Sequence, residues 1–245
     1  MEIEGKRVLI TGANRGLGRA LAFAFATAGA REIIAGARKP EDIEQLKADA
    51  LADGAPITSV RLDVRFEEDV AAVLALGPVD ILVNNAAIAV YGGPLNAEFA
   101  DIRNEIETNY LAVVRLVQAF APAMIEQGDG MIVNIATIFA KVNLPIVGTY
   151  CATKAALLSL GQALRAHLAD KGVRVITVLP STIDTDMSRD ADVPKMTKEF
   201  VATEILKAIR EETIDPPIGD EAQGILEGLA KDPLGIEQTF AQIRE

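Results

Sequence analysis

A phenol and an ammonium group stand four residues apart at Tyr150 and Lys154, in the run Tyr-Cys-Ala-Thr-Lys at the head of a long apolar helical pattern. Positions i and i+4 of a helix share a face, so both side chains enter one site. The chemistry on offer is proton transfer. A phenol ionises near pH 10 in water, and a cation within roughly 4 to 6 Å favours the phenolate. The hydroxyl of Thr137, thirteen residues upstream, adds a second oriented donor for a developing alkoxide. The spacing alone fits a partly buried tyrosine beside a solvated lysine equally well, so the elements that carry these residues have to decide.

Strand-like apolar runs fall at 7–11, 32–37, 57–62, 79–84, 130–136, 173–179 and, least clearly, 213–218. Helical patterns lie at 16–29, 40–53, 66–76, 97–126 with a break, and 149–170, with shorter ones after 194 and 220. The runs ending at Asn84 and Ile135 are continuously apolar rather than alternating, as in parallel strands covered on both faces. The order predicts an α/β fold: one Rossmann-type, doubly wound parallel sheet of about seven strands flanked by helices, spanning 1–245. Within it, 1–187 reads as the cofactor-binding and catalytic core and 188–245 as a substrate-covering segment with C-terminal helices. Ligands of such folds bind beyond the carboxyl ends of the strands. Thr11-Gly12, Asn84-Asn85, Ala136-Thr137 and Pro180-Ser181 all follow strand-like runs. They can therefore face one cleft, which Asn109, Tyr150 and Lys154 must reach from helices.

Between the first strand and the first helix runs Thr11-Gly12-Ala13-Asn14-Arg15-Gly16-Leu17-Gly18. Gly12 suits a tight turn, Gly16 lets backbone approach a pyrophosphate, and Gly18 permits close packing, while free N–H groups at the helix start attract anions. A plain strand-to-helix turn needs glycine too; the position after the first strand favours a dinucleotide loop. The second strand ends Ala37-Arg38-Lys39, with cations where a carboxylate would accept hydrogen bonds from an unmodified ribose. Arg38 with Arg15 can clamp a 2′-phosphate, which predicts NADP(H) rather than NAD(H). The alternative is that both arginines are solvated surface residues.

Composition removes other classes. A net charge of −11, from 35 acidic and 24 basic residues, disfavours nucleic acid. The single cysteine, Cys151, forbids an intrachain disulfide and, with His167 the only histidine, leaves little for a metal site or a Ser-His-Asp triad. No apolar run of about 18 residues suggests a membrane span. The amino terminus runs straight into a strand without a signal-like segment. The expectation is a cytoplasmic protein acting on a small molecule.

Over nearly its full length the sequence resembles the short-chain dehydrogenase/reductase family. The landmarks are Thr-Gly-x-x-x-Gly-x-Gly at 11–18, Asp63-Val64, Asn84-Asn85-Ala86-Ala87, Asn109, the hydroxyl at 137, Tyr150-x-x-x-Lys154, and Pro180 through Thr185. The loop wording together with Arg38 is most like the NADPH-dependent carbonyl reductases. The resemblance implies hydride transfer between nicotinamide and a carbonyl or alcohol carbon, without metal. It gives Tyr150 the proton, Lys154 the lowering of the Tyr150 pKa and a hydrogen bond to the nicotinamide ribose, Thr137 the substrate oxygen, and Asn109 a water-linked path behind Lys154. It assigns Asp63 and Val64 to the adenine end, Asn85 and Ala86 to the adenosine side, and Pro180, Ile183 and Thr185 to the nicotinamide loop. With Gly12, Asn14, Arg15, Gly16, Leu17, Gly18 and Arg38 these complete the expected cofactor contacts.

Three positions depart from the common wording: Thr137 for serine, Ser181 for glycine, and Ala87 for glycine. None removes a functional group. Cys151 points about 100° away from Tyr150 around the helix, which suits packing. Met187, Val193, Met196 and Phe200 offer an apolar cover for substrate, and ordinary core packing explains them as well. The broad apolar surfaces near 108–124 and 149–168 suggest a homodimer or homotetramer. Three functions are compatible: a reductase of ketones or aldehydes, an NADP-linked dehydrogenase of a hydroxylated metabolite or sugar, and a dinucleotide-binding regulator.

Overall fold

The computed structural model describes residues 1–243, so the last two residues of the expected 188–245 segment lie outside the described part. Seven strands, β1 (Arg7–Thr11), β2 (Glu32–Ala37), β3 (Ile57–Arg61), β4 (Ile81–Asn84), β5 (Gly130–Ile135), β6 (Val173–Pro180) and β7 (Pro217–Ile218), form one sheet in the order β3-β2-β1-β4-β5-β6-β7. Every pairing is parallel. The chain winds outward from β1 to β3, then returns to place β4 on the other side of β1, and this reversal opens a crevice between the β1 and β4 ends.

The helices are α1 (Gly16–Thr27), α2 (Pro40–Asp53), α3 (Glu67–Leu74), α4 (Gly93–Asn96), α5 (Phe99–Ile106), α6 (Ala112–Gln127), α7 (Gly148–Leu168), α8 (Lys198–Glu211), α9 (Asp220–Lys231) and α10 (Pro233–Phe240). Successive strand residues point to opposite faces, so each strand feeds two cores. In β1, Val8 and Ile10 join a cluster with α1 and α8 residues such as Leu21, Phe25 and Ile205. Leu9 points the other way, into a cluster with Leu116, Phe120 and Leu157 from α6 and α7. Continuous apolar strands are thus used on both sides. No helix among the described residues is long and apolar enough to cross a membrane.

Two expected elements differ. The run at 213–218 shrinks to Pro217–Ile218 because Pro216 and Pro217 have no N–H to donate and Asp215 takes a φ of +48°. The break expected within 97–126 is a π turn at Glu107–Leu111, where the Ala112 N–H reaches back to the Glu107 carbonyl. A π turn inserts one residue into the helical ladder and rotates the helix beyond it.

On the α7 face of the sheet, register pairs Asn84 with Asn134 and Asn134 with Thr177, forming a buried polar row. α7 crosses this row at Gly161, where a Cβ would lie 2.3 Å from Thr177 Oγ1. Gly161→Val is expected to destabilise the protein by about 1–3 kcal/mol through overpacking. Urea unfolding checks this, and Thr177→Ala in the same chain should recover part of the loss.

Candidate active site

The glycine loop is built by close approach. Gly12 and Gly16 have φ of +65° and +55°, and a Cβ on Gly18 would lie 2.2 Å from the Gly12 carbonyl oxygen. A Cβ on Gly12 would meet the Ala86 Cα at 3.0 Å. Asn85 ties this loop to β4: its Nδ2 donates to the Thr11 and Gly12 carbonyls at 2.9 and 3.1 Å. The Thr11 hydroxyl in turn accepts the Asn85 and Ala86 N–H groups, both at 3.0 Å. The start of α1 has no side-chain cap and no acidic residue in its first turn, so its amides are available to an anion. These features suit the pyrophosphate of a dinucleotide.

Asp63 and Val64 are buried just beyond β3. Arg65 holds both Asp63 oxygens, Nε to Oδ1 at 2.9 Å and Nη2 to Oδ2 at 2.6 Å, and reaches Asn104 as well. The Arg65 guanidinium holds the Asp63 carboxyl below the usual carboxylate range, with Arg38 assisting from a distance. Arg38 is exposed. Arg15, expected to share a clamp with Arg38, instead pairs with Asp186 at 2.6 Å, both side chains being largely exposed. Its long chain lies over the 185–188 turn because that acid is the carboxylate within reach.

That turn belongs to a loop whose two ends are joined. Ile183 bridges to Met196, the Asp184 N–H donates to the Met196 carbonyl, and the Met196 N–H donates to Thr182. Thr185 caps the turn, and its Cγ2 is 3.4 Å from where a Gly16 Cβ would stand, which sets it against the glycine loop. Met196 packs on the main core rather than covering a cleft, whereas Met187 and Val193 remain exposed on the loop and Phe200 sits exposed on the first turn of α8. Pro180 ends β6, and its carbonyl accepts the Thr137 hydroxyl at 3.0 Å.

Tyr150 is the third residue of α7 and Lys154 lies one turn on, fully buried. Lys154 Nζ is 5.6 Å from the Tyr150 ring centre and donates to the Ile135 carbonyl at 2.8 Å. Asn109, on the π turn, clasps Ile88 through both backbone groups, at 2.9 and 2.8 Å, and donates to Thr153 Oγ1 at 3.0 Å. Thr153 then donates to the Tyr150 carbonyl at 2.7 Å. A bonded path therefore runs from the segment after β4 through Asn109 to α7.

The expected lowering of the Tyr150 pKa is not produced by the chain's own groups. Burial pushes the phenol up, and nearby Cys151, Glu105 and Tyr91 add to the rise. Burial also brings Lys154 down to about 8, partly opposed by Glu105. Desolvation disfavours both charged forms and is the largest cause of each shift. The phenol is thereby kept protonated across the neutral range.

Sequence reasoning overlooked several participants. Tyr91, reading as a loop residue, influences Tyr150 electrostatically and donates its hydroxyl to the Met187 carbonyl at 2.5 Å. Arg65 and Thr153 each join a near neighbour, Asp63 and Tyr150, to a residue distant in sequence, Asn104 and Asn109. Glu105, which no sequence motif singles out, is fully buried; its position four residues before Asn109 is the available signal.

With this geometry in view, the comparisons agree. The family profile described as short chain dehydrogenase matches residues 6–195, and the chain belongs to that family of oxidoreductases. It is 32% identical over 248 residues to the ketoacyl reductase HetN of Nostoc sp., covering 96% of this chain and 85% of the relative. It is 36% identical over 191 residues to the D-erythrulose reductase of Gallus gallus, covering 77% of this chain and 76% of the relative. A crystal structure of a short chain dehydrogenase from Burkholderia cenocepacia in complex with NADP superposes with a TM-score of 0.89 at 36% identity, covering 98% of this chain and 99% of that one.

The buried ammonium has a measurable signature. Because the Lys154 pKa falls from 10.5 to about 8 on folding, the unfolded chain holds the extra proton between these values, and stability rises with pH there. The Cys151 thiol and Tyr150 phenol, both pushed up from ordinary values of 9.0 and 10.0, act in the opposite sense at higher pH. Between pH 8 and 9 the lysine should contribute a rise of about 1 kcal/mol. Urea unfolding of wild type and Lys154→Met checks this, the variant lacking that contribution.

Proposed function

We propose that the chain is an NADP(H)-dependent oxidoreductase that reduces a ketone or aldehyde to an alcohol, and runs in reverse when supplied with alcohol and oxidised cofactor. The observation that carries this reading is the braced head of α7. Tyr150 and buried Lys154 stand at the carboxyl ends of the central strands, tied through Thr153 and Asn109 to the segment that follows β4. The NADP of the Burkholderia structure and the reductase names of two relatives support the cofactor and the class.

In this reading bound NADPH supplies the hydride. Gly12, Asn14, Gly16, Leu17 and Gly18 hold the pyrophosphate, and Arg38 meets the 2′-phosphate, with Arg15 joining it on leaving Asp186. Asp63, Val64, Asn85 and Ala86 line the adenosine side, while Pro180, Ile183 and Thr185 line the nicotinamide end. Tyr150, protonated at neutral pH, gives its proton to the carbonyl oxygen as negative charge develops there. Lys154 lends positive charge behind it. The Thr137 hydroxyl turns from the Pro180 carbonyl towards the substrate oxygen, with the stiff χ1 of threonine narrowing the space. Residues 1–187 form the catalytic core, and the segment from 188 covers the substrate.

Self-association follows from α5 and the π turn, where Phe99, Ile106 and Leu111 are 70%, 42% and 42% exposed. They flank an apolar recess lined by Ile102, Tyr110, Ala152 and Ala156. A homodimer or homotetramer covers this surface, and a purely monomeric mass by light scattering would count against it.

Turnover is followed by NADPH absorbance on a panel of ketones, aldehydes and vicinal diketones. Tyr150→Phe should lower kcat by about 10²–10⁴-fold with NADPH binding retained. Activity untouched by this change would overturn the mechanism, and cofactor binding without turnover on a broad panel would favour a regulator. Arg38→Asp should weaken NADPH relative to NADH by at least about tenfold, since a carboxylate repels the 2′-phosphate.

A further inference from the structure

Glu105 is buried within α5, where an ionisable group is costly to keep unless it is well partnered. Its Oε1 accepts the Val90 N–H at 2.7 Å, while Asn109, four residues later, holds Ile88. The two rungs match in length, since four helical residues advance about 6 Å and two extended residues about 6.6 Å. Helix and segment therefore run antiparallel, with Glu105 opposite Val90 and Asn109 opposite Ile88.

The second oxygen looks towards α7. Glu105 Oε2 and Thr149 Oγ1 each lack a well-formed hydrogen bond among the described residues, yet the Thr149 hydroxyl lies against this carboxyl. The charged and titratable groups that face it are Lys154, Tyr150 and Cys151, all on α7. The residue after Val90 is Tyr91, which donates to the Met187 carbonyl and acts electrostatically on Tyr150. Fixing the Val90 amide therefore also constrains the backbone that leads into Tyr91.

We propose that Glu105 is a positioning residue, whose carboxyl bridges the Val90 amide and the Thr149 hydroxyl and so fixes the gap between Tyr91 and Tyr150 that receives the substrate carbonyl. The proposal rests on the reductase reading for its substrate, but the bridge itself is independent of turnover. It makes the 88–91 wall and the head of α7 move as one body and sets how large a group the carbonyl can carry.

The test uses the full chain with NADPH, 2,3-butanedione as the carbonyl probe, and the variants Glu105→Gln and Glu105→Leu. Glutamine retains an acceptor for Val90 and a donor for Thr149; leucine fills the space with neither. Leucine is expected to raise KM for the probe roughly 10-fold, with kcat and NADPH affinity within about 3-fold of wild type. Glutamine should restore KM to within about 3-fold. Amide hydrogen exchange gives a readout without turnover: the Val90 amide should exchange at least about 10-fold faster in the leucine variant alone, with Ile88 still protected by Asn109. Leucine matching wild type in Val90 exchange, or glutamine failing as leucine does, overturns the proposal. If wild type reduces no carbonyl probe, the reductase reading fails, and selective loss of Val90 protection still supports the bridge while equal protection overturns it. Should the leucine variant not fold, Glu105→Met takes its place in the same comparison.

Discussion

A lysine ammonium sealed inside the protein constrains everything around it. Among the described residues Lys154 has one hydrogen-bond acceptor, the Ile135 carbonyl at the end of β5. A buried charge with so few partners persists only if its neighbours are held firmly enough to compensate its lost hydration. The tight approach of α7 at Gly161 brings the helix against β6, the Asn109–Thr153 link ties it to the π turn, and the Asn84–Asn134 pair joins β4 to β5 in the sheet it packs on. The cost of desolvation is thereby converted into a defined electrostatic setting, in which the phenol one turn away keeps its proton and the lysine sits near its own titration point.

Much of this was legible from the residues. Strand positions followed from uninterrupted apolar runs, because a parallel sheet covered on both faces leaves little room for alternation. Gly12, Gly16 and Gly18 announced a loop in which backbone must approach backbone, and the structure brings them against Ala86, Thr185 and Gly12. Tyr150 and Lys154 were visible because the helical period puts them on one face. The sequence does not display interactions whose partners are remote: Arg65 on Asn104, Arg15 on Asp186, or Tyr91 on Met187. Local period also failed at the π turn, since one extra residue shifts the face that each later residue presents.

The same limit explains the one electrostatic expectation that was reversed. A cation four residues from a phenol suggests a lowered pKa if both are imagined near water, where Coulomb attraction is the main term. Inside the protein the desolvation of each group is the largest cause of its shift, with the ammonium 5.6 Å from the ring centre. Distance can be guessed from helical spacing, but dielectric environment depends on which residues from elsewhere close over the pair.

The joined ends of the segment between Ile183 and Met196 have a different kind of consequence. Backbone pairing at Thr182, Ile183 and Asp184 closes the loop at its base, and Met196 anchors the exit in the core. Lengthening such a loop adds little closure entropy, of the order of 0.6 kcal/mol per doubling. Residues 185–195 can therefore change in composition and size at small cost to the fold, leaving the sheet and α7 intact.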